Sequence, residues 1–175
     1  MSFLESFFCL DPTRDWPKHV RIDLRFDIDT MQLNGVGFGA PLNAIRTFGR
    51  PTRVLKINKE HFEFCYAPSG FALEIERGVL VYFAFFIGVD EFQPCVDDLT
   101  FCQPIVSSDL KEFRFTNLIT QESVVSWLGE PLERDADEDE TVLFYGRKQV
   151  VLEFEFSTEN KLKRWSLYPE KKVVE

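Results

Sequence analysis

Leu73-Glu74-Ile75-Glu76 returns as Leu152-Glu153-Phe154-Glu155, 79 residues further along the chain. The residues around it return as well. Gly49-Arg50-Pro51 is matched by Gly129-Glu130-Pro131, Tyr66 by Tyr145 and Leu80 by Leu162, at offsets of 80, 79 and 82. The two copies therefore run in register with small loop changes. Ahead of each Gly-x-Pro the spacing predicts a helix. Leu42, Ile45 and Phe48 recur at helical spacing behind Pro41, which suits a first turn. In the second copy Thr120 is a plausible N-cap, Glu122 lies in the first turn, and Val124, Val125 and Leu128 form the buried stripe. Gly49 and Gly129 sit where a left-handed C-cap is needed, and Pro51 and Pro131 prevent continuation. At about two to three turns, neither helix is stable alone, so each must pack on a sheet.

Strands are expected after each helix. Phe62, Phe64 and Tyr66 alternate with His61, Glu63 and Cys65; after Pro68-Ser69-Gly70, Phe71, Leu73 and Ile75 alternate with Ala72, Glu74 and Glu76. Arg77-Gly78 turns into the apolar run Val79–Ile87. In the second copy Leu143-Phe144-Tyr145 leads through Gly146 to Leu152, Phe154 and Phe156, and Ser157–Asn160 turns into Lys161–Tyr168. Upstream, Val20 to Asp29 alternate apolar and charged residues without a miss, predicting a half-buried strand. Met31 to Gly39 reads as a second short strand and a glycine-rich turn. The fold class expected is α+β: two tandem repeats, each a short helix packed on an antiparallel sheet. The expected organisation is a lead over 1–19, repeat one over 20–87, a connector over 88–110, repeat two over 111–168 and a tail over 169–175, within one compact domain.

Phe is heavily used, with 19 of 175 residues, which fits a β-rich chain because rings pack well on a pleated surface. The net charge is −9. An acidic chain gains nothing from counterion release on a phosphate backbone, so nucleic acid is disfavoured, and an anionic membrane surface is disfavoured on the same ground. A basic protein partner would be steered toward it. The first nine residues lack a basic segment and Glu5 interrupts their apolar run, so they do not read as a secretory signal. Nine residues, Val79 to Ile87, make the longest apolar run, under half of a membrane-spanning helix. The expected location is the cytoplasm. There Cys9, Cys65, Cys95 and Cys102 are expected to be reduced and packed as small apolar groups. The spacing of Cys95 and Cys102 would also allow a small closed loop, which nothing requires.

The repeated unit resembles the beta-lactamase-inhibitor-like fold, which small outer-membrane assembly lipoproteins share. The resemblance rests on Gly39-Ala40-Pro41-Leu42 through Phe48-Gly49-Arg50-Pro51, and on Thr120, Val124-Val125 and Leu128-Gly129-Glu130-Pro131. Each stretch is followed by a Tyr-bearing strand and a Leu-Glu-x-Glu strand. The match spans roughly 20–168. It implies a bacterial binding protein, an inhibitor or assembly factor, that contacts protein through a sheet face. The chain departs from the secreted members in lacking a lipobox ahead of Cys9 and paired cysteines within each unit.

Several constellations bear on chemistry. Asp135-x-Asp137-x-Asp139 matches the opening of a calcium loop, but Glu140 stands where Gly is needed and Gly146 where a bidentate Glu is needed. A solvated acidic loop is the better reading. His61-x-Glu63 supplies two ligands of the three or four a metal needs, and His19 is the only other histidine. Neither a metal nor a cofactor is expected. There is no Gly-x-Ser-x-Gly, and Gly35-x-Gly37-x-Gly39 has the wrong spacing for a dinucleotide. Glu74, Glu76, Glu153 and Glu155 lie opposite the Leu face of their strands. They are read either as paired carboxylates for acid–base work or as cross-strand partners of Lys161, Lys163 or Arg164. Val79–Ile87 is apolar on both faces: either a central strand buried between the units, or an aromatic contact surface or homodimer seam using Tyr82, Phe83 and Phe85.

The function expected is therefore non-catalytic. The chain reads as a protein-binding module, an inhibitor or immunity-type protein that captures a basic partner through an open sheet face. The contact residues would be Glu74, Glu76, Tyr82, Glu153 and Glu155, with the loop at Asp135, Asp137 and Asp139. A homo-oligomeric structural protein and a hydrolase using the paired glutamates are the rival readings.

Overall fold

A computed structural model describes residues 11–89, 99–108 and 111–170. Cys9, Cys95 and the end of the expected tail lie outside them. In chain order the elements are β1 Arg25–Asp27, β2 Gln32–Leu33, β3 Val36–Gly37, α1 Leu42–Ile45, β4 Arg53–Lys56, β5 His61–Tyr66, β6 Phe71–Glu76, β7 Val79–Phe86, β8 Ile105–Ser108, β9 Lys111–Arg114, α2 Gln121–Leu128, β10 Glu133–Ala136, β11 Glu140–Arg147, β12 Val150–Ser157 and β13 Leu162–Pro169. A 3-10 turn, Arg46–Phe48, extends α1. The chain is thus mostly β with two short helices, α+β in the broad sense.

The larger sheet has eight strands in the order β10-β11-β12-β13-β7-β6-β5-β4, all antiparallel. Each helix is followed by four of these strands. The two sets meet where β7 pairs with β13, with Phe85 opposite Trp165 and Ala84 opposite Ser166. Val79–Phe86 is therefore a central strand, hydrogen-bonded on both sides, and its Phe83 and Phe85 are wholly buried.

A second, five-stranded sheet has the order β3-β2-β1-β8-β9. Its β1–β8 pair is parallel, with Phe26 opposite Val106, unlike the antiparallel pairing expected throughout. The alternation over 20–29 is realised as burial of Leu24, Phe26 and Ile28, but only Arg25–Asp27 is strand, and Val20 is 72% exposed. Alternation fixes which side chains face inward; it does not supply the neighbour that a strand needs. Within the stretch expected as a connector, Ile105–Ser108 forms β8.

Both helices cover the same face of the large sheet as the second sheet does, adding Ile45, Phe48 and Val124 to one core. Trp165 is its hub. Its ring stacks on Phe85 at 5.0 Å and on Phe154 at 5.8 Å, with Phe26 edge-on at 5.1 Å. Such pairs contribute about 0.5–1.5 kcal/mol each beyond area burial. The helix stops fall at the expected glycines, but not in the left-handed helical conformation expected of them, because ψ is −174° at Gly49 and −167° at Gly129. Gly49 and Gly129 hold positive φ, and Thr120 Oγ1 accepts from Ser123 N–H at 3.4 Å. The Tyr66 hydroxyl donates to Gly49 O at 3.2 Å and that of Tyr145 to Gly129 O at 3.1 Å, so each helix end is tied to the sheet in the same way.

Candidate functional site

The outer face of the large sheet, opposite the core, carries the candidate site. Leu73, Ile75, Leu152 and Phe154 point into the core, so period two sends Glu74, Glu153 and Glu155 outward. Cross-strand register sets their neighbours. Glu74 lies opposite Tyr82, Glu153 opposite Ser166, and Glu155 opposite Arg164. Two bulges fall at these places, one between Glu74 and Ile75 and one between Glu155 and Phe156. A bulge increases local twist and re-aims a side chain.

The resulting cluster is closely bonded. Arg164 Nε donates to Glu155 Oε1 at 2.6 Å, Tyr168 OH to Glu153 Oε2 at 2.8 Å, and Tyr82 OH to Ser166 Oγ at 2.8 Å. The Tyr82 and Tyr168 rings stack at 6.1 Å. On the other side, His61 Nε2 lies 2.6 Å from Glu74 Oε2, and Arg53 pairs with Glu63 at 3.0 Å. Beside the cluster, Ala72, Ala84 and Phe86 are buried on this face, with Tyr82 and Leu99 packed against them.

Glu155 is only 2% exposed. Burial lifts its carboxyl from the ordinary 4.5 to about 7; the Arg164 guanidinium pulls it down, and the neighbouring Glu153 carboxyl raises it. Burial also raises Tyr82 to about 12. Tyr168 is raised by burial and by its bond to the Glu153 carboxylate, which favours keeping the phenol proton.

The residues expected at a contact site are not all brought together. Glu74, Tyr82, Glu153 and Glu155 share the outer face. Glu76 lies on the same face but at its rim, exposed at the end of β6 opposite His61. Asp135 lies in β10, the outermost strand, rather than in a loop, and is exposed. Asp137 and Asp139 close the β10–β11 hairpin, where Asp137 Oδ1 accepts from the backbone N–H of Asp139 at 2.8 Å and of Glu140 at 2.9 Å. Those bonds hold its carboxyl below the usual range, the one from Asp139 most. β10 stands five strands from β6, about 24 Å at the usual strand spacing, so the acidic hairpin and Glu74 are separate features.

The cross-strand reading of the glutamates holds for Glu155 with Arg164. Lys161 pairs instead with Glu159, and Lys163 with Glu140. Ser166 and Tyr168 are the members not singled out from the sequence, although Arg164-x-Ser166-x-Tyr168 places all three on one face. Among the described residues no group of three or more His, Cys, Asp or Glu side chains comes together as metal ligands. No helix among them is long and apolar enough to cross a membrane. Two cavities, of about 870 and 570 Å³, are lined by other residues.

Fold and site together define a two-sheet, mostly antiparallel β protein with a polar, aromatic-centred outer face. No protein-family model matches the chain, and no curated protein matches it. Among solved structures it is similar to a DUF4309 family protein (YjgB) from Bacillus subtilis, at 13% identity and a TM-score of 0.50, over 78% of this chain and 84% of that one. A cysteine-rich secretory protein (SAV1118) from Staphylococcus aureus aligns at 12% identity and a TM-score of 0.41, over 89% of this chain and 51% of that one. The first likeness is a distant relationship of fold.

Proposed function

We propose that this chain is a non-catalytic protein-binding module that engages a partner through the outer face of its eight-stranded sheet. The observation that carries the reading is the half-buried polar face of the sheet, where the Tyr82 and Tyr168 rings stack with carboxylates around them. Part of that face is already covered, since Ala72, Ala84, Phe86, Glu155 and Ser166 are buried, so a partner would meet chiefly the half-buried Glu74, Tyr82, Glu153, Arg164 and Tyr168. Tyr is enriched at interface centres because it combines a large rigid ring with a polar tip. Glu63, Glu74, Glu76, Glu153 and Glu155 share the face with Arg53, Arg164 and His61, which favours a basic partner surface. The mirrored strand order and the twin Tyr–Gly hydrogen bonds support a tandem-repeat plan of the beta-lactamase-inhibitor-like kind. An inhibitor or immunity-type role in a bacterial cytoplasm is the form of the proposal.

A hydrolytic reading has one observation on its side, the Glu155 proton held to about 7. A general acid must also reach its substrate. Glu155 is covered and bonded to Arg164, and the large cavities lie elsewhere, so its proton supports a structural role on the binding face. A homodimer through β7 would have to use Tyr82, since Phe83 and Phe85 are in the core.

The test is an affinity capture from the native host's lysate at low and moderate salt, repeated with the Glu74→Lys, Glu153→Lys double variant. The proposal expects a stoichiometric partner that the variant binds about tenfold or more weakly, with a shallower salt dependence. Unchanged affinity and salt dependence would sink the acidic-face reading.

A further inference from the structure

The larger of the two cavities lies away from the outer face, and its chemistry is of the opposite sign. It occupies about 870 Å³ between the 11–19 segment and the core side of β4. Trp16, Val54 and Phe62 form apolar walls, and Lys18, Arg50 and Lys56 bring three cations to its lining. Among the described residues the lining holds one carboxylate, Asp11, which pairs with Arg50 at 3.0 Å. In a chain of net charge −9, the cationic side chains gathered here, Lys18 and Arg50 foremost, would attract anionic groups.

The cavity adjoins an open sheet edge. β4 is the last strand of the large sheet, with β5 on one side and no strand beside it on the other among the described residues. Alternate backbone N–H and C=O groups of such a strand face outward, ready to pair with another chain. The opposite edge, β10, is exposed throughout and carries Glu133, Arg134 and Asp135, the charged pattern that keeps an edge unpaired. β4 reads Arg53-Val54-Leu55-Lys56 with no carboxylate, and Leu55 and the adjacent Ile57 are 46% and 49% exposed. Large apolar side chains at a sheet edge call for a cover.

We propose that β4 accepts an extended segment of a partner protein as a further antiparallel strand, one whose residues alternate acidic and aliphatic. The alternation follows from register. Val54 and Lys56 lie opposite Phe64 and Phe62 and share the cavity side, whereas Leu55 lies opposite Glu63 on the outer side. A strand laid beside β4 therefore sends every second side chain over the cavity, toward Lys18, Arg50 and Lys56, and the others over Leu55. Acidic residues suit the first set and aliphatic residues the second. Main-chain bonds supply affinity and the cavity supplies the sequence preference.

The test titrates the full chain with a fluorescein-labelled Asp-Val-Glu-Ile-Asp-Val peptide and reads anisotropy and backbone amide shifts. Two controls accompany it: the same peptide with Lys at the acidic positions, and one N-methylated at alternate amides. The proposal expects shifts concentrated at Thr52–Ile57. It also expects affinity to fall about tenfold or more for the Lys peptide, for the N-methylated peptide, and for the Lys18→Glu, Lys56→Glu variant. The variant's folding is checked by its unchanged urea midpoint; if it unfolds, the two control peptides decide. Absence of binding to the full chain near 1 mM peptide overturns the proposal. Equal binding of the N-methylated peptide, or shifts confined to the outer face, does the same. A concentration-dependent dimer abolished by Leu55→Glu would assign the edge to a second copy. Peptide binding by a chain starting at Asp11, but not by the full chain, would assign the cavity to the residues ahead of Asp11. Either result overturns the proposal.

Discussion

Replacing Glu155 with Gln should remove a specific pH dependence of stability. Burial and the adjacent Glu153 raise the Glu155 carboxyl from 4.5 to about 7 in the folded chain, against the pull of Arg164. In the unfolded chain it ionises near its ordinary value. The folded state therefore binds the proton more tightly. The stabilisation it confers is fully present below about pH 4.5 and is lost as pH rises through about 7. The side chain is only 3% exposed, so little solvent screening applies. At about 1.4 kcal/mol per pKa unit, the loss between about pH 5 and about pH 8 is roughly 2–3 kcal/mol. Gln keeps an oxygen for the Arg164 Nε–H but cannot ionise, so the variant lacks this slope. The assay is urea unfolding of both proteins at about pH 5 and about pH 8, with the difference between them taken at each pH. Carboxylates common to both cancel. The expected result is a variant that gains roughly 2–3 kcal/mol on the wild type between the two pH values. A difference that stays constant to within about 0.5 kcal/mol would refute a buried, proton-holding Glu155.

Three further outcomes follow from packing. Gly70 has φ +70, and a Cβ there would lie 2.2 Å from Thr100 O and 2.7 Å from Cys102 N, so Gly70→Ala should cost about 3 kcal/mol and lower Tm by about 6–12 °C. A shift under about 2 °C would contradict the tight crossing of the 100–102 segment over that turn. Trp165→Ala should cost about 3–5 kcal/mol by emptying the centre of the aromatic core. Trp165→Phe should cost markedly less, because the buried Trp165 Nε1–H has no hydrogen-bond partner among the described residues and leaves with the indole. Equal losses for the two variants would contradict that account. Burial pushes the Cys65 thiol up to about 11 and the Cys102 thiol to about 12, so neither should react with iodoacetamide at neutral pH until the chain unfolds. Peptide mapping by mass spectrometry decides this, and native-state labelling of either residue would contradict it.

The elements legible in the sequence were those with an inward face. His61–Tyr66, Phe71–Glu76 and Val79–Phe86 alternate against a core, and both helices end at glycines with positive φ, so their residues announce them. Edge strands send a weaker signal. Glu133–Ala136 is exposed at every position, so period two has nothing apolar to mark, and it reads as the start of a solvated loop. The parallel pairing of β1 with β8 joins Phe26 to Val106 across the chain, a contact that no local pattern encodes. At the site, the outward direction of Glu74, Glu153 and Glu155 followed from alternation. The depth of Glu155 did not, because it comes from a bulge and from Arg164 on the next strand. Ser166 and Tyr168 were within reach of the same period-two argument, once Arg164 was placed on the outer face.

The claim that the outer face is the binding surface can be tested at one residue. p-Benzoylphenylalanine in place of Tyr168 puts a photoreactive ring at the centre of the face, and in place of Leu118, which is 75% exposed, it provides a control position outside the strands of both sheets. After irradiation in the native host, cross-linked products are identified by mass spectrometry. The account predicts a discrete protein adduct from the Tyr168 position and none from Leu118. An adduct from Leu118 with none from Tyr168, or the same adducts from both, would contradict it.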